Sequence, residues 1–543
     1  MNFSSSNSLH ASTRKKAIVL VFALIVWSLF LWRAVETFGP DGGHIEVNSD
    51  SAITVLMANN ERPITVFDTY YYGADRWGAW PLIIARLFNH STGFRWSFKR
   101  LHAVRTTWLF LGVLILALLN RGASLPVLLI SIMVICLTYI IRLLLFDLSQ
   151  VYAWQFTALL LSWLALRKWF EQLSASGRRV QTNVALVGWS LLVFFFSLLA
   201  VLNSTVSGPL LLFLVGVETL RSIIKMEKGL AVGRSLLSGF KALCLILLAM
   251  LGEILLRINY HRYSLKHYQD EFRTRIALDA GYLRANLKAH LQTLATFEWW
   301  PLILLAVITV VAVGALVIYF YLGRRRESLT SIRQLFLDDT SFTIVAAVGI
   351  AAINFVIVIL VDHVRLSLYN NRFLALTFFF GSLAGFLIIW RILKFALEEV
   401  GARKYAGPVF ASIALVLITI AFPVKLQANA YDLRKETALA LALKSPDAVL
   451  MGGYWETYVF SALQPTHMLT PLPLEGYQVR MPWAITTLHG ASEVIVEYKH
   501  SRVGNAEPPP ERLFQYGESL RLVDSKWYEN SEFAFARYLR EPK

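Results

Sequence analysis

Long apolar runs recur along most of the chain and constrain its fold more than any other feature. A helix needs roughly 18–20 apolar residues to cross about 30 Å of hydrocarbon, where it satisfies its own backbone hydrogen bonds. About eleven runs meet or approach this length, to within one or two. They cover residues 17–32, 105–119, 124–141, 153–167, 184–202, 208–220, 237–256, 301–322, 342–361, 373–390 and 407–424. Since 56% of the residues are hydrophobic and only 16% are charged, the sequence predicts an α-helical polytopic membrane protein.

The basic residues predict the orientation of this bundle. The net charge of +16 would suit nucleic acid, but it is spread over many loops at the ends of the apolar runs. Lysine and arginine recur in every second loop, which favours an inside position for those loops and for the N-terminus. An odd number of spans then places three segments outside: the first loop (residues 33–104), the loop 258–300 and the C-terminal segment.

Targeting and cysteine content suggest a location. A basic segment precedes the first run, but no small-residue cleavage site follows it, so we expect an anchor. Cys136 and Cys244 lie inside predicted spans, which argues against a disulfide framework or a zinc site. These features suggest a bacterial inner membrane, with the outer segments facing the periplasm.

Two stretches are predicted to fold outside the lipid. The first loop should hold a helix over 51–60, capped by Ser49 or Asp50, and an interfacial helix over 76–89. Residues 1–424 form the membrane domain, and residues 425–543 are predicted to form a small α/β domain. Its helices are expected over 434–443 and from Tyr454, and its strands at 447–451, 467–470, 493–498, 519–527 and 533–539.

Carboxylates near the first span are the candidate catalytic groups. Asp50 follows that span closely and should lie near the membrane surface, where a carboxylate can take a proton from an attacking hydroxyl. The alternative of similar weight is that Asp50 caps its helix. Asp75 is the second candidate, although pairing with Arg76 or capping the next helix is somewhat favoured for it. Asp68 is expected to be a solvated loop acid.

A basic loop between two strong runs is the candidate phosphate site. Arg365 and Arg372 lie in DHVRLSLYNNRF, and guanidinium groups bind phosphate through two parallel hydrogen bonds. His363 is placed to assist them; the alternative is that both arginines contact lipid headgroups. The sequence contains neither an H-x-x-H nor an H-E-x-x-H spacing, so it gives only a weak signal for a metal site. Since aromatic rings suit sugar faces, the candidate substrate-binding residues are Tyr71, Tyr72, Trp77 and Tyr369.

Three motifs resemble the GT-C superfamily of integral-membrane glycosyltransferases. They are the acid after the first span in NSDSAITVLMANN, the aromatic-glycine stretch YYYGADRWGAWPLI and the later basic segment RLSLYNNRFLALT. The resemblance implies a polyprenyl-phosphate-linked sugar as donor and a reaction on the non-cytoplasmic face. It also implies Asp50 as catalytic base, and Arg372 with Arg365 at the donor phosphate. Many members carry a second acid beside the first, but Ser51 follows Asp50, and no proline follows Leu374; use of a divalent cation such as Mg²⁺ or Mn²⁺ therefore stays open.

The favoured hypothesis is a membrane glycosyltransferase that transfers a sugar, with inversion, to a hydroxyl of a lipid, glycan or protein acceptor. A transporter or flippase of a lipid-linked glycan is the first alternative, although paired halves with broken spans, typical of transporters, are not evident in the sequence. A membrane-anchored cell-envelope scaffold, with a contact surface around Tyr454, is the second.

Overall fold

The structure is a computed structural model that describes most of the chain between residues 24 and 542. The described ranges are 24–25, 27–32, 34, 48–72, 74–120, 123–137, 145, 148, 150–175, 181–225, 229–264, 279–297, 336–361, 374–399, 429–464, 466, 468–500 and 508–542. The helices are α1 Ser49–Asn59, α2 Trp80–Thr92, α3 Phe98–Leu118, α4 Ser124–Leu137, α5 Tyr152–Ala175, α6 Gln181–Asn203, α7 Ser207–Lys225, α8 Gly229–Ser264, α9 Ala280–Phe297, α10 Asp339–Leu360, α11 Ala375–Glu399, α12 Asn429–Lys444, α13 Tyr454–Leu463 and α14 Trp483–Gly490. The strands are β1 Tyr70–Tyr71, β2 Ala74–Gly78, β3 Val449–Gly452, β4 Thr470–Pro473, β5 Glu493–His500, β6 Arg512–Gln515, β7 Glu518–Glu529 and β8 Phe533–Arg540.

The helical membrane architecture predicted from the sequence is confirmed. Within the described residues, six helices are long and apolar enough to cross a membrane: α3, α6, α7, α8, α10 and α11. The predicted span 153–167 lies in α5, which is not one of the six, and 124–141 corresponds to the shorter α4. The predicted spans 301–322 and 407–424 lie outside the described residues, so the number eleven stays a prediction.

The first loop folds into two short helices joined by a small hairpin. The predicted helix 51–60 is α1, and the predicted helix 76–89 begins later, at Trp80, because residues 74–78 pair with β1 as a strand. Pro81 lies in the first turn of α2, where its missing N–H leaves no helical hydrogen bond unmade. Gly78 leaves room for a close approach, since a Cβ there would lie 2.5 Å from the carbonyl oxygen of Leu202 at the end of α6.

The C-terminal domain is built on one six-stranded sheet in the order β4-β3-β5-β8-β7-β6. Strand β3 pairs in parallel with β4 and β5, and the remaining pairs are antiparallel. The five predicted strands are present within a few residues of their predicted bounds, while β6 and α14 were not predicted. The predicted domain boundary at residues 424 and 425 lies outside the described residues.

Two hydrophobic cores organise the molecule. One fills the helix bundle and includes Trp163 of α5 and Phe342 of α10. The other joins the apolar face of α1, from Ala52 to Ala58, with residues of the C-terminal sheet such as Leu450 and Val494. The first loop and the C-terminal domain therefore share one core, although they stand at opposite ends of the chain.

Candidate active site between the first loop and the C-terminal domain

Asp50 lies in the first turn of α1 but does not cap it. The cap is Asn48, whose side-chain oxygen accepts a hydrogen bond from the Ser51 backbone N–H at 2.9 Å. The Ser51 hydroxyl accepts in return from the Asn48 N–H at 3.1 Å. The expectation that Ser49 or Asp50 caps this helix is therefore wrong. Helix capping, the alternative role for Asp50, is wrong for the same reason. The half-buried Asp50 is left at the end of α1 nearest Tyr71.

The backbone at Asp50 is held by side chains from two directions. The Tyr71 hydroxyl donates to the Asp50 carbonyl oxygen, and the Thr54 hydroxyl donates to the same oxygen at 3.2 Å. Tyr71 is buried, and its burial raises the pKa of the phenol well above its usual value, an effect that nearby Asp50 and Tyr454 reinforce. The phenol therefore stays protonated and remains a donor. This arrangement fixes the position of the Asp50 backbone.

Arg480 of the C-terminal domain reaches the same place. Its Nε donates to the Tyr454 hydroxyl at 2.7 Å, and one terminal nitrogen donates to the Tyr72 carbonyl oxygen at 3.5 Å. Burial lowers the pKa of the guanidinium, but the nearby Tyr454, Tyr71 and Asp50 raise it more, so that the net pKa of Arg480 lies above its usual value. Arg480 is a cation that the C-terminal domain brings to the first loop, at Tyr72, and sequence reasoning missed it.

Asp68 is a buried ion-pair partner, and the expectation that it is a solvated loop acid is wrong. Its carboxylate accepts from Arg86 at 2.7 Å, from the Tyr72 hydroxyl at 2.8 Å, and from both the backbone N–H and the hydroxyl of Thr65. The Tyr72 hydroxyl also accepts from the Asn60 amide at 2.8 Å. These groups lock the hairpin to α1 and α2. Tyr72 itself is wholly buried, so its predicted contact with substrate stays a prediction.

Several predicted site residues fall where the structure does not describe their side chains. Asp75 and Trp77 lie on β2, whose backbone pairs with β1 beside Tyr71. The four candidates of the basic loop lie outside the described residues: His363, Arg365, Tyr369 and Arg372. Their roles, and those of Asp75 and Trp77, stay predictions.

Candidate metal ligands do not gather in the part of the chain that the structure describes. Among those residues, no group of three or more histidine, cysteine, aspartate or glutamate side chains could hold an ion.

An acid within the bundle supports the hairpin from the other side. Glu253 of α8 is buried and accepts hydrogen bonds from Arg257 at 2.8 Å and from the Tyr70 hydroxyl at 3.2 Å. The Tyr70 ring also meets the Tyr260 ring edge-on, with centroids 5.1 Å apart. The hairpin that carries Tyr71 is thus held between α8 and α1.

Comparison with known proteins identifies the class of fold. No family model matches the sequence, and no curated protein sequence matches it. Among solved structures, ArnT from Cupriavidus metallidurans bound to undecaprenyl phosphate superposes with a TM-score of 0.50 at 10% identity, covering 97% of this chain and 98% of that one. The archaeal oligosaccharyltransferase AglB from Archaeoglobus fulgidus, in complex with an inhibitory peptide and a dolichol-phosphate, gives a TM-score of 0.39 at 12% identity, over 88% of this chain and 69% of that one.

The likeness to ArnT extends over nearly the full length of both chains, and at 10% identity it establishes the fold. The weaker likeness to AglB, with a TM-score of 0.39, does not support a conclusion about this chain. The GT-C-like architecture, with its helical membrane domain and small C-terminal sheet domain, is therefore confirmed.

Proposed function

We propose that this chain is a membrane glycosyltransferase that moves a sugar from a polyprenyl-phosphate donor to an acceptor hydroxyl, with inversion at the anomeric carbon. The observation that carries the proposal is the setting of Asp50, a half-buried carboxylate freed from capping, held through its backbone by Tyr71 and placed near the cation Arg480. The GT-C-like fold agrees with it, and ArnT was solved with undecaprenyl phosphate bound.

In the proposed reaction, Asp50 takes the proton of the acceptor hydroxyl as that oxygen attacks the anomeric carbon. The bond from this carbon to the phosphate oxygen breaks, and its electron pair leaves with the polyprenyl phosphate. Arg365 and Arg372, with His363, would neutralise the charge that grows on the phosphate. A bound divalent cation, Mg²⁺ or Mn²⁺, would also neutralise phosphate charge.

The remaining aromatic candidates take supporting roles in this proposal. Trp77 and Tyr369 would contact the sugar face, and Asp75 would be the base if Asp50 is not. Tyr71 positions Asp50. We further propose that the site and the C-terminal domain face the periplasm of a bacterial inner membrane, and that the acceptor is a lipid, a glycan or a protein.

The test compares wild type, Asp50→Asn and Asp75→Asn in nanodiscs with a panel of polyprenyl-phosphate sugars, following release of free polyprenyl phosphate by mass spectrometry. We expect Asp50→Asn to lose about 10²-fold or more of the rate, the scale for a lost general base. Glu61→Gln is the matched control, because Glu61 is an exposed acid of the same loop, paired with Arg95.

The other outcomes of this test would indicate a different base or a different function. Equal rates in wild type and Asp50→Asn, with a loss in Asp75→Asn, would move the base to Asp75. Tight binding of a lipid-linked glycan without turnover of any donor would favour the transporter or flippase, and neither binding nor turnover would favour the scaffold.

A further inference from the structure

The parallel strands of the C-terminal sheet end at the first loop. Tyr454 follows β3 directly, and Arg480 lies in the loop after β4, so both stand beyond the carboxyl ends of neighbouring parallel strands. In open sheets with parallel strands, this edge is where ligands bind. Here the edge is met by α1 and by Tyr72, whose carbonyl oxygen lies 3.5 Å from Arg480. The C-terminal domain therefore turns its usual binding edge toward Asp50.

Arg480 is fixed in this edge by two tyrosines of α13. Its backbone N–H donates to the buried Tyr458 hydroxyl at 2.7 Å, and its Nε donates to Tyr454 at 2.7 Å. The guanidinium carbon lies 5.7 Å from the centre of the Tyr454 ring, within the range of a cation–π contact. A side chain held at both ends loses little further freedom when it acts on a neighbour.

Two contacts through adjacent tyrosines link Arg480 to Asp50: Arg480 donates to the Tyr72 carbonyl oxygen at 3.5 Å, and the Tyr71 hydroxyl donates to the Asp50 carbonyl oxygen. The titratable groups that bear on Arg480 most are Tyr454, Tyr71 and Asp50, followed along α13 by Tyr458. Tyrosine phenols are neutral near pH 7, and burial raises the pKa of Tyr71 still further. Asp50 is thus the anion of this group, and an arginine beside a carboxylate favours its charged form.

We propose that Arg480 is a positioning residue that keeps the Asp50 carboxylate charged and aimed at the acceptor hydroxyl, so that the C-terminal domain forms one wall of the active site. This inference rests on the proposed function of Asp50 as general base. Arg480 takes no proton itself: the proton moves from the acceptor hydroxyl to Asp50, and the cation keeps that carboxylate ready for the next turnover.

The test measures kcat/KM between about pH 3 and about pH 8, a range that includes the usual aspartate pKa, in wild type, Arg480→Gln and Arg480→Lys. Without the cation, the carboxylate is protonated more readily, so we expect the acid limb of the Arg480→Gln profile to move up by about one pH unit. We also expect kcat at the optimum to fall about tenfold, because the base is less well oriented. Arg480→Lys keeps the charge but not the two-sided anchoring, so its acid limb should stay in place while its kcat falls.

Arg537→Gln is the matched control, because Arg537 belongs to the same sheet and pairs with Glu493 at 2.6 Å, away from the Asp50 contacts. It should match wild type in the pH profile. A second measurement compares the Tm of Asp50→Asn, Arg480→Gln and the double variant: if the two groups interact, the double variant should lose less Tm than the sum of the single variants.

Each possible result either supports or overturns the positioning role of Arg480. A shifted acid limb with non-additive Tm losses supports the positioning role. An active wild type whose acid limb is unchanged in Arg480→Gln, or additive Tm losses, overturns it while leaving the proposed function intact. A wild type that turns over no donor overturns the proposed function, and the positioning role falls with it.

Discussion

Asp50 and Asp68 belong to the same loop and lie in opposite surroundings. Asp68 is buried and accepts four hydrogen bonds, one of them from the buried guanidinium of Arg86. Asp50 is half-buried, and the hydrogen bonds from Tyr71 and Thr54 go to its backbone carbonyl. The hydrogen bonds at Asp68 thus engage its carboxylate, while those from Tyr71 and Thr54 fix the backbone of Asp50.

The difference teaches how to tell a structural acid from a reactive one. A carboxylate whose oxygens are all engaged by buried donors is stable and has no capacity for a substrate proton. An acid whose backbone is fixed by its neighbours, and whose charge acts on a nearby cation, is placed for chemistry. Asp68 fits the first description and Asp50 the second.

The largest expected effect contrasts the two acids directly. Asp68→Asn leaves the buried Arg86 charge uncompensated, so we expect the free energy of unfolding to fall by about 3–5 kcal/mol. Asp50→Asn leaves the partly exposed Arg480 without a nearby anion, and we expect a smaller loss of about 0.5–1 kcal/mol. Denaturation in detergent, followed by circular dichroism, measures both. Similar losses in the two variants would break the comparison.

A third acid, Glu497 on β5, has one buried carboxylate oxygen, and the nearby Arg434 pairs with Glu456. The Oε1 of Glu497 has no hydrogen-bond partner among the described residues, and burial together with nearby Glu456 raises its pKa to about 8, against the opposing effects of the Gly453 N–H and Arg434. The folded chain therefore keeps this proton to about pH 8, while the unfolded chain loses it near pH 4.5. The free energy of unfolding should fall as the pH rises through this window.

We expect the Tm to be lower at pH 8 than at pH 5, by on the order of 5 °C from this group alone. Glu497→Gln should remove that slope, because its side chain is neutral at both pH values. Glu529→Gln, a change in a surface acid paired with Lys499 at 3.5 Å, should keep it. A slope that survives in Glu497→Gln would show that Glu497 is not the group responsible.

Two adjacent tyrosines sharpen the contrast between the acids. Tyr72→Phe removes a donor from Asp68 and an acceptor from Asn60, so we expect a loss of about 1 kcal/mol in the free energy of unfolding. Tyr71→Phe removes the donor at the Asp50 carbonyl, and its main effect should be a several-fold lower kcat. Denaturation and steady-state kinetics on both variants separate the two roles. A raised KM in Tyr72→Phe would instead support the predicted contact between Tyr72 and the sugar.

The membrane helices and most C-terminal strands followed from local pattern. Hydropathy located the apolar centres of the spans, but it could not find their ends, because a helix continues beyond the lipid. Helix α3 begins at Phe98, before the apolar run, because the Ser97 hydroxyl caps its first turn by accepting from the Arg100 N–H at 3.3 Å. Helix α8 likewise extends past the predicted 237–256 on both sides.

The site depended on contacts that no local pattern encodes. Asp50 stood out by its place after the first span, but the choice of Asn48 as cap was not visible, since asparagine and aspartate cap about equally well. Asp68 was misplaced because its partner Arg86 comes from a helix whose start was predicted wrongly. Arg480 meets Tyr72 across 408 positions of the chain, and its loop carries no motif that would have marked it.

The smallest expected effect belongs to Glu61, an acid of the first loop that is neither held in a buried ion pair nor proposed as a catalytic group. Its side chain is 67% exposed and pairs with Arg95 at the surface. Exposed pairs are screened by solvent, so Glu61→Gln should change the free energy of unfolding by less than about 0.5 kcal/mol and leave turnover unchanged. Measured beside Asp68→Asn and Asp50→Asn, it separates the loss of a charge from the loss of a particular setting. A large effect at Glu61 on either stability or rate would mean that the loop responds to its total charge. The contrast between Asp50 and Asp68 would then not come from their different surroundings.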